Sequence, residues 1–316
     1  MKRQIFILII GIFIFNGCKQ NFSEIIFSRH KHIKIYPNGI YMMNSKGRNQ
    51  TCILEDREKV LPFVGSFSCS PDGKKIAFSL GKMEKEIRYD KNDKIIFDIY
   101  ITGSDIYIKD IDKNKNPIRI TKDIIAGQPA WSPDSKKIVF RVKEANRESI
   151  YLINIDGTNQ KKLINFEGGT ILGLSLSSDD KKIAFDLNKN GNYDIYIIDI
   201  DGSNLVQLTN TPMDECTPAW SPDGKKIAFG SRDGLYIMDS NGKNQRKITD
   251  SPLFFSVLGI SWSPDGKRLV FGALENNTGA NDEIFIVGID GKNLKNLTNT
   301  KDYSERFPSW RPIVKD

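Results

Sequence analysis

The chain has only two histidines, His30 and His32, and four cysteines, none of them in a Cys-x-x-Cys pair. Two imidazoles set close together leave little material for a Ser-His-Asp arrangement, and no Gly-x-Ser-x-Gly elbow is present to hold a nucleophile. The pair reads as metal ligands or, more simply, as loop residues. Thiolate metal sites need cysteines at close spacing, so they are not expected. With Cys18 set aside for a reason given below, Cys52, Cys69 and Cys216 allow at most one bridge. Long apolar runs are also lacking. The one from Ile5 to Phe15 is too short to span a bilayer of about 30 Å as a mature helix.

What is abundant is one phrase. Trp220-Ser221-Pro222-Asp223-Gly224-Lys225-Lys226-Ile227-Ala228-Phe229 returns, aligned on its Ser, at Ser70, Ser132, Ser177, Ser221 and Ser263, with an echo at Trp310-Arg311-Pro312. The intervals of 62, 45, 44, 42 and 48 residues centre on the length of a four-stranded propeller blade, about 40–45 residues. A second signature follows in each unit, as in Asp194-Ile195-Tyr196-Ile197-Ile198-Asp199-Ile200-Asp201-Gly202, then Leu208-Thr209. Two apolar runs around Asp-Gly read as a hairpin. Strands apolar on both sides, such as Ile227-Ala228-Phe229, belong between two neighbouring blades. The expected fold is all-β: a six-bladed β-propeller of four-stranded blades. Glu24–Ser28 and Gly39–Asn44 match a second and a third strand with no first strand ahead of them, and the missing one is found at Phe307–Trp310. The C-terminal strand is therefore expected to complete the N-terminal blade and close the ring, removing two open sheet edges.

The run from Thr217-Pro218-Ala219-Trp220 through Phe229, followed by Ser231-Arg232-Asp233-Gly234-Leu235-Tyr236-Ile237-Met238-Asp239, resembles the WD40-like repeat of TolB-type propellers, over residues 23–316. The resemblance is specific for fold and weak for function, since such propellers serve unrelated tasks. TolB itself carries an α/β domain ahead of its propeller, and few residues separate Cys18 from the first strand here, so the TolB role is not expected to transfer whole.

Met1-Lys2-Arg3, the apolar run and then Asn16-Gly17-Cys18 read as an export signal of residues 1–17. The small residue before Cys resembles a lipobox, which makes Cys18 a lipidation site, 18–22 a tether and 23–316 the propeller. Ordinary secretion and an uncleaved anchor are the alternatives. Lys19, by analogy with the enterobacterial sorting rule, implies the outer membrane facing the periplasm. A monomer is expected, and nucleic acid is not an expected partner of an exported protein. Loss of Lys2 and Arg3 takes the formal net charge from +7 to +5. Paired cations such as Lys181-Lys182 and Lys225-Lys226 follow each turn. They read as solvated strand ends or as a seat for an anionic surface.

Three candidate features remain. Asp186, Asn188, Asn190 and Asp194 place side-chain oxygens at loop positions one, three, five and nine around Gly191, a spacing suited to Ca²⁺; an Asn/Gly-rich hairpin that binds nothing has the same spacing. An insertion, 81–103, reads as a longer hairpin in which Asp98–Ile101 mimics Asp105–Ile108, leaving the third strand ambiguous. The connections between units differ from one another and share the face on which the channel opens, which is where recognition normally lies. Asp214, Glu215, Phe254, Tyr303, Glu305 and Arg306 are the binding residues expected there, for a partner protein or an envelope glycan. A carbohydrate-active or peptidase-related enzyme working at the channel mouth is the alternative.

Overall fold

The computed structural model describes residues 24–31, 37–55, 64–89, 95–113, 115–189, 191–249, 254–275, 281–300 and 303–312. All regular structure among them is β. In chain order the strands are β1 (Glu24–Lys31), β2 (Pro37–Asn44), β3 (Thr51–Glu55), β4 (Val64–Cys69), β5 (Lys75–Tyr89), β6 (Ile95–Asp110), β7 (Ile118–Arg119) and β8 (Ile125–Trp131). Next come β9 (Lys137–Glu144), β10 (Arg147–Asn154), β11 (Lys161–Glu167), β12 (Leu174–Leu176), β13 (Lys182–Asn188), β14 (Tyr193–Asp199), β15 (Val206–Gln207) and β16 (Glu215–Trp220). The last eight are β17 (Lys226–Ser231), β18 (Gly234–Asp239), β19 (Arg246–Lys247), β20 (Phe254–Trp262), β21 (Arg268–Glu275), β22 (Asp282–Gly288), β23 (Lys295–Asn296) and β24 (Tyr303–Arg311). They form antiparallel sets of four: β24-β1-β2-β3, then β4 to β7, β8 to β11, and so on to β20-β21-β22-β23. A single parallel pair, Ser104 with Ile125, joins the second and third sets into one sheet.

The repeated phrase is the hydrogen-bond circuit of a turn. In Ser221-Pro222-Asp223-Gly224, the Ser221 hydroxyl donates to Asp223 Oδ1 at 2.6 Å and accepts the Lys226 N–H at 2.9 Å, while Asp223 Oδ1 accepts the Lys225 N–H at 3.1 Å. The same circuit recurs at Ser70, Ser132, Ser177 and Ser263. The fourth turn position needs positive φ. Gly73, Gly224 and Gly266 fill it, and Ser135 and Asp180 take it at φ 58° and 57° where glycine is missing. The Leu-Thr signature also has a bond behind it. Thr121, Thr209, Thr249 and Thr298 accept the N–H of Ile106, Ile195, Leu235 and Ile284 on the third strand.

Packing explains the apolar runs. Along β17, Ile227 and Phe229 belong to a cluster with Ala184, Ile195 and Trp220, whereas Ala228 faces Trp262, Leu269 and Phe271 on the other side. Each set therefore shares one cluster with the set before it and another with the set after it. Within every set the Phe of the second strand lies against an aromatic ring of the third: Phe27–Tyr41, Phe78–Tyr107, Phe140–Tyr151, Phe185–Tyr196, Phe229–Tyr236 and Phe271–Phe285, with centroids 5.4–6.1 Å apart. This is cross-strand pairing repeated by the sequence repeat.

The first strand of each set packs on the first strand of the next, and β24 packs on both β20 and β4. Serine side chains lace these inner strands together. Trp220 N donates to Ser175 Oγ, Trp310 N to Ser261 Oγ and Cys69 N to Ser309 Oγ, each at 3.1 Å. β24 pairs with β1 from Glu24–Arg311 to Lys31–Tyr303. It is the first strand that the N-terminal set lacks in sequence order. The insertion lengthens β5 and β6 into one hairpin paired from Lys75–Asp110 out to Tyr89–Ile95. Its third-strand ambiguity is resolved in favour of 105–108, because Tyr107 and Ile108 are the residues that pair with β7.

Candidate binding site at the mouth of the central channel

The six inner strands surround a cavity of about 220 Å³. Near the start of these strands the ladder is broken by bulges, between Gly127 and Ala130, Cys216 and Ala219, and Leu258 and Ile260. At the bulges Gln128, Thr217 and Phe307 adopt φ 53°, each before a proline, and Gly259 adopts 68°. Proline has no N–H to give to a ladder, and at a bulge none is required. The result is a rim of backbone turned out of the ladder at the ends reached by the fourth-to-first connections, opposite the Ser-Pro-Asp-Gly turns.

The residue after the second-strand Phe supports this rim. Ser79 Oγ donates to Ser66 O and Ser28 Oγ to Arg306 O. Two sets carry charges there instead. Arg141 donates to Ile171 O at 3.0 Å and pairs with the buried Glu148 at 3.4 Å. Asp186, wholly buried, accepts three backbone N–H groups: Leu172 at 2.6 Å and Gly173 at 3.1 Å on Oδ1, and Thr217 at 2.7 Å on Oδ2. Burial pushes its carboxyl up to about 6, against the opposite pull of those N–H groups and of Arg141. One side chain thus ties the Cys216–Ala219 bulge to the segment that leads into β12. They are so close that a Cβ on Gly173 would stand 2.8 Å from Thr217 Cα. Exposed Leu172 and Met213 lie on the connections into β12 and β16, and the Thr217 hydroxyl has no hydrogen-bond partner among the described residues.

The carboxylates expected to recognise a ligand are placed otherwise. Glu215 and Glu305 are buried. Glu215 accepts the Thr211 hydroxyl, and its carboxyl is raised by burial, with neighbouring Asp194 adding to the rise. Glu305 accepts Arg29 Nε at 2.9 Å and the Thr300 hydroxyl. Arg29 in turn lies over the rings of Tyr41, Tyr303 and Phe27 at 4.9, 5.3 and 5.4 Å. Both carboxylates are tied into the scaffold, Glu305 by a clasp between the paired strands β1 and β24, and Tyr303 is a wall of that clasp. Arg306 is committed to Asp282. Asp214 accepts the Tyr193 N–H at 3.0 Å with Arg232 3.8 Å away, and remains partly exposed. Phe254 begins β20 opposite Glu275; its side chain lies outside the described residues.

Burial, then the Glu283 carboxylate, push the Glu305 carboxyl up to about 7, with Thr300 and Arg29 pulling it down. The folded chain therefore keeps a proton where the unfolded chain, near 4.3, has lost it. Stability falls as pH rises from about 4 to 7 and is level above that range. Glu305→Gln should remove this slope, worth up to about 3 kcal/mol at roughly 1.4 kcal/mol per pH unit. Urea midpoints at pH 4.5 and 7.5 measure it, and parallel curves for wild type and variant would assign the slope elsewhere.

The Ca²⁺-like spacing does not gather its ligands. Asp186 stands opposite Ile195, and Leu187 opposite Asp194. Residues directly opposite share a face and successive residues alternate, so Asp186 and Asp194 point to opposite sides of their sheet. Asn188 accepts the Gly191 N–H, and Asn190 lies outside the described residues. Among the described residues no three His, Cys, Asp or Glu side chains are grouped to hold a metal ion. The side chains of both histidines lie outside the described residues, as does Cys18. Among the described residues no disulfide joins Cys52, Cys69 and Cys216. Burial pushes the Cys69 thiol up to about 12, which keeps it inert at neutral pH.

The profile of the TolB beta propeller domain family matches residues 101–313. Among solved structures, TolB from Acinetobacter baumannii is similar at 23% identity and a TM-score of 0.72, over 93% of this chain and 68% of that one. A putative TolB from Agrobacterium tumefaciens is similar at 19% identity and a TM-score of 0.65, over 92% and 98% of the two chains. A chain from the nidogen/laminin complex aligns at 10% identity and a TM-score of 0.69, over 93% of this chain and 100% of its own length. At these identities the likeness is one of fold.

Proposed function

Because this chain belongs to the family of TolB β-propeller domains, we propose that it is a cell-envelope lipoprotein whose channel face binds a partner protein or an envelope glycan without chemical turnover. In this reading residues 1–17 are a signal peptide, Cys18 carries the lipid, 18–22 form the tether and 23–316 a monomeric six-bladed propeller at the outer membrane, facing the periplasm. The leader ending at Gly17-Cys18 and the relatives named TolB support the location. One of the similar folds comes from a protein–protein complex, which fits a protein partner.

The observation that carries the binding reading is the contrast at the rim. Its carboxylates are tied into the scaffold, whereas Leu172, at the edge of the cavity, and Met213, on the next connection, expose large apolar side chains. Apolar anchors beside a concave rim suit an extended peptide or a sugar ring more than a reaction that needs an activated nucleophile. Leu172→Ser with Met213→Ser should leave the melting temperature within about 2 °C, as exposed substitutions do, and should weaken capture of the envelope partner roughly tenfold or more. Unchanged capture would place binding elsewhere. Turnover of a polysaccharide or peptide library by the purified protein would overturn the non-catalytic reading.

A further inference from the structure

The turns opposite the channel mouth do not share charge evenly. In the second to sixth sets the third-to-fourth strand turn is bonded to the Ser-Pro-Asp-Gly turn, as in Ser240 N to Lys225 O at 2.9 Å and Ile289 N to Lys267 O at 3.0 Å, so both belong to one face. After the turn glycine stand Arg48, Lys243 and Lys292 in the first, fifth and sixth sets, where the third and fourth sets carry Thr158 and Ser203. Lys46 and Asn241 precede that glycine in the first and fifth sets, where Asp290, Asp156 and Asp201 stand in the sixth, third and fourth. Arg246 and Lys295 add to the excess, and all six of these cations are exposed.

The three cationic turns are consecutive around the ring. The turn at Gly47 rests on Leu297 and that at Gly291 on Ile248, so closely that a Cβ would meet the carbonyl oxygen at 2.3 and 2.7 Å. Arg246 donates to Ile289 O at 2.7 Å. The fourth set is acidic by comparison: Lys181 and Lys182 share the face with Asp179, Asp180, Asp199 and Asp201, and Lys182 is bound to Asp199 at 2.5 Å. The basic arc ends at the place where the chain enters. β1 begins on this face, for Glu24 is held by Arg311, which also bonds Gly73 O and Asp112. Cys18 lies six residues before Glu24, a span of at most about 20 Å.

We propose that the arc of Lys46, Arg48, Lys243, Arg246, Lys292 and Lys295 docks on an anionic lipid surface, so that the propeller stands on its turn face and presents its channel mouth away from the membrane. The proposal rests on membrane anchoring at Cys18. Two observations favour lipid over a soluble polyanion: the arc is one-sided, and it lies beside the strand that the anchored segment must reach. Basic residues near such a surface each strengthen binding severalfold, an effect that salt screens.

The test is partition of the full lipidated chain on phosphatidylcholine vesicles with and without about 30% phosphatidylglycerol. Lys46→Glu with Arg48→Glu, Lys243→Glu and Lys292→Glu should lower the anionic-to-neutral ratio roughly tenfold or more without moving the melting temperature. The same charge change at Lys136, Lys161, Lys162 and Lys181 should leave the ratio near that of wild type. An unchanged ratio in the first variant overturns the proposal, as does an equal loss in the second. Stronger binding to dextran sulfate than to the vesicles would make the arc a polysaccharide seat instead. Lipid labelling of wild type and Cys18→Ala tests the anchor separately. Failure of labelling with a charge-dependent ratio intact removes the anchor and leaves the docking face.

Discussion

A chain ending before Tyr303 should show no cooperative unfolding transition, and Trp310→Ala in the whole chain should lower the melting temperature by on the order of 10 °C. β24 is the inner strand of the N-terminal set and at the same time the neighbour of β20 and β4. Trp310, 4% exposed, packs with Ile25, Phe27, Val270, Ile284 and Leu297. A buried tryptophan covers about 150–250 Å², which at about 25 cal/mol per Å² gives roughly 4–6 kcal/mol, and truncation of such a residue to Ala costs about 3–5 kcal/mol. Removing the strand also uncovers the backbone of β1 and breaks the Arg29–Glu305 clasp. The combined loss reaches the whole stability of an ordinary domain, about 5–15 kcal/mol. Circular dichroism melts of the two variants are the measurement. A truncated chain that melts like wild type would show that β24 contributes nothing to the ring.

Asp186→Ala should be the costliest single change at the channel rim, at about 3–5 kcal/mol. The carboxylate receives three backbone N–H groups in a place without solvent, and each buried donor left without an acceptor costs about 1–3 kcal/mol. Asp186→Asn should fall between wild type and Ala. Its amide oxygen still accepts from Leu172 and Gly173, but its amide nitrogen then faces the Thr217 N–H, donor against donor. Denaturant titration ranks the three proteins. Because Asp186 positions the rim at Leu172, Gly173 and Thr217 without lining the cavity, the Asn variant should also weaken partner capture more than its stability loss explains. Equal stability of Ala and Asn variants would mean that the N–H groups find other acceptors.

The repeat made the fold legible because each of its residues has a local task. Ser221 and Asp223 close a turn, Thr209 caps a neighbouring strand, and Phe229 meets Tyr236, so the letters recur wherever the bonds do. The split first set was equally readable, since Phe307–Trp310 lacked a following strand and Glu24–Ser28 a preceding one. The rim was not readable in this way. Glu215 and Glu305 fall between apolar runs and read as loop charges, yet Glu215 opens β16 and Glu305 lies within β24, both buried. A signal was present in the repeated Thr209-x-Thr211 before Glu215 and Thr298-x-Thr300 before Glu305, hydroxyls that a buried carboxylate requires. Asp186 misled through spacing alone. Oxygen side chains at alternate positions mark an ion site only in a loop, and here both aspartates stand within strands of opposite facing. The positive φ at Gln128, Thr217 and Phe307 had one trace in the sequence, the proline that follows each of them.

The pairing of β1 with β24 sets how the ring responds to being pulled. The strands are antiparallel, and Glu24 at the entry of one lies opposite Arg311 at the exit of the other. Tension between the two ends of the chain therefore loads the bond pairs one after another, from Glu24–Arg311 inward, as a zip opens, and never shears the whole ladder at once. A propeller held by its N-terminus alone carries no such load. One tethered at both ends would part first at this seam, at low force, while the hairpin-linked sets around it stayed closed.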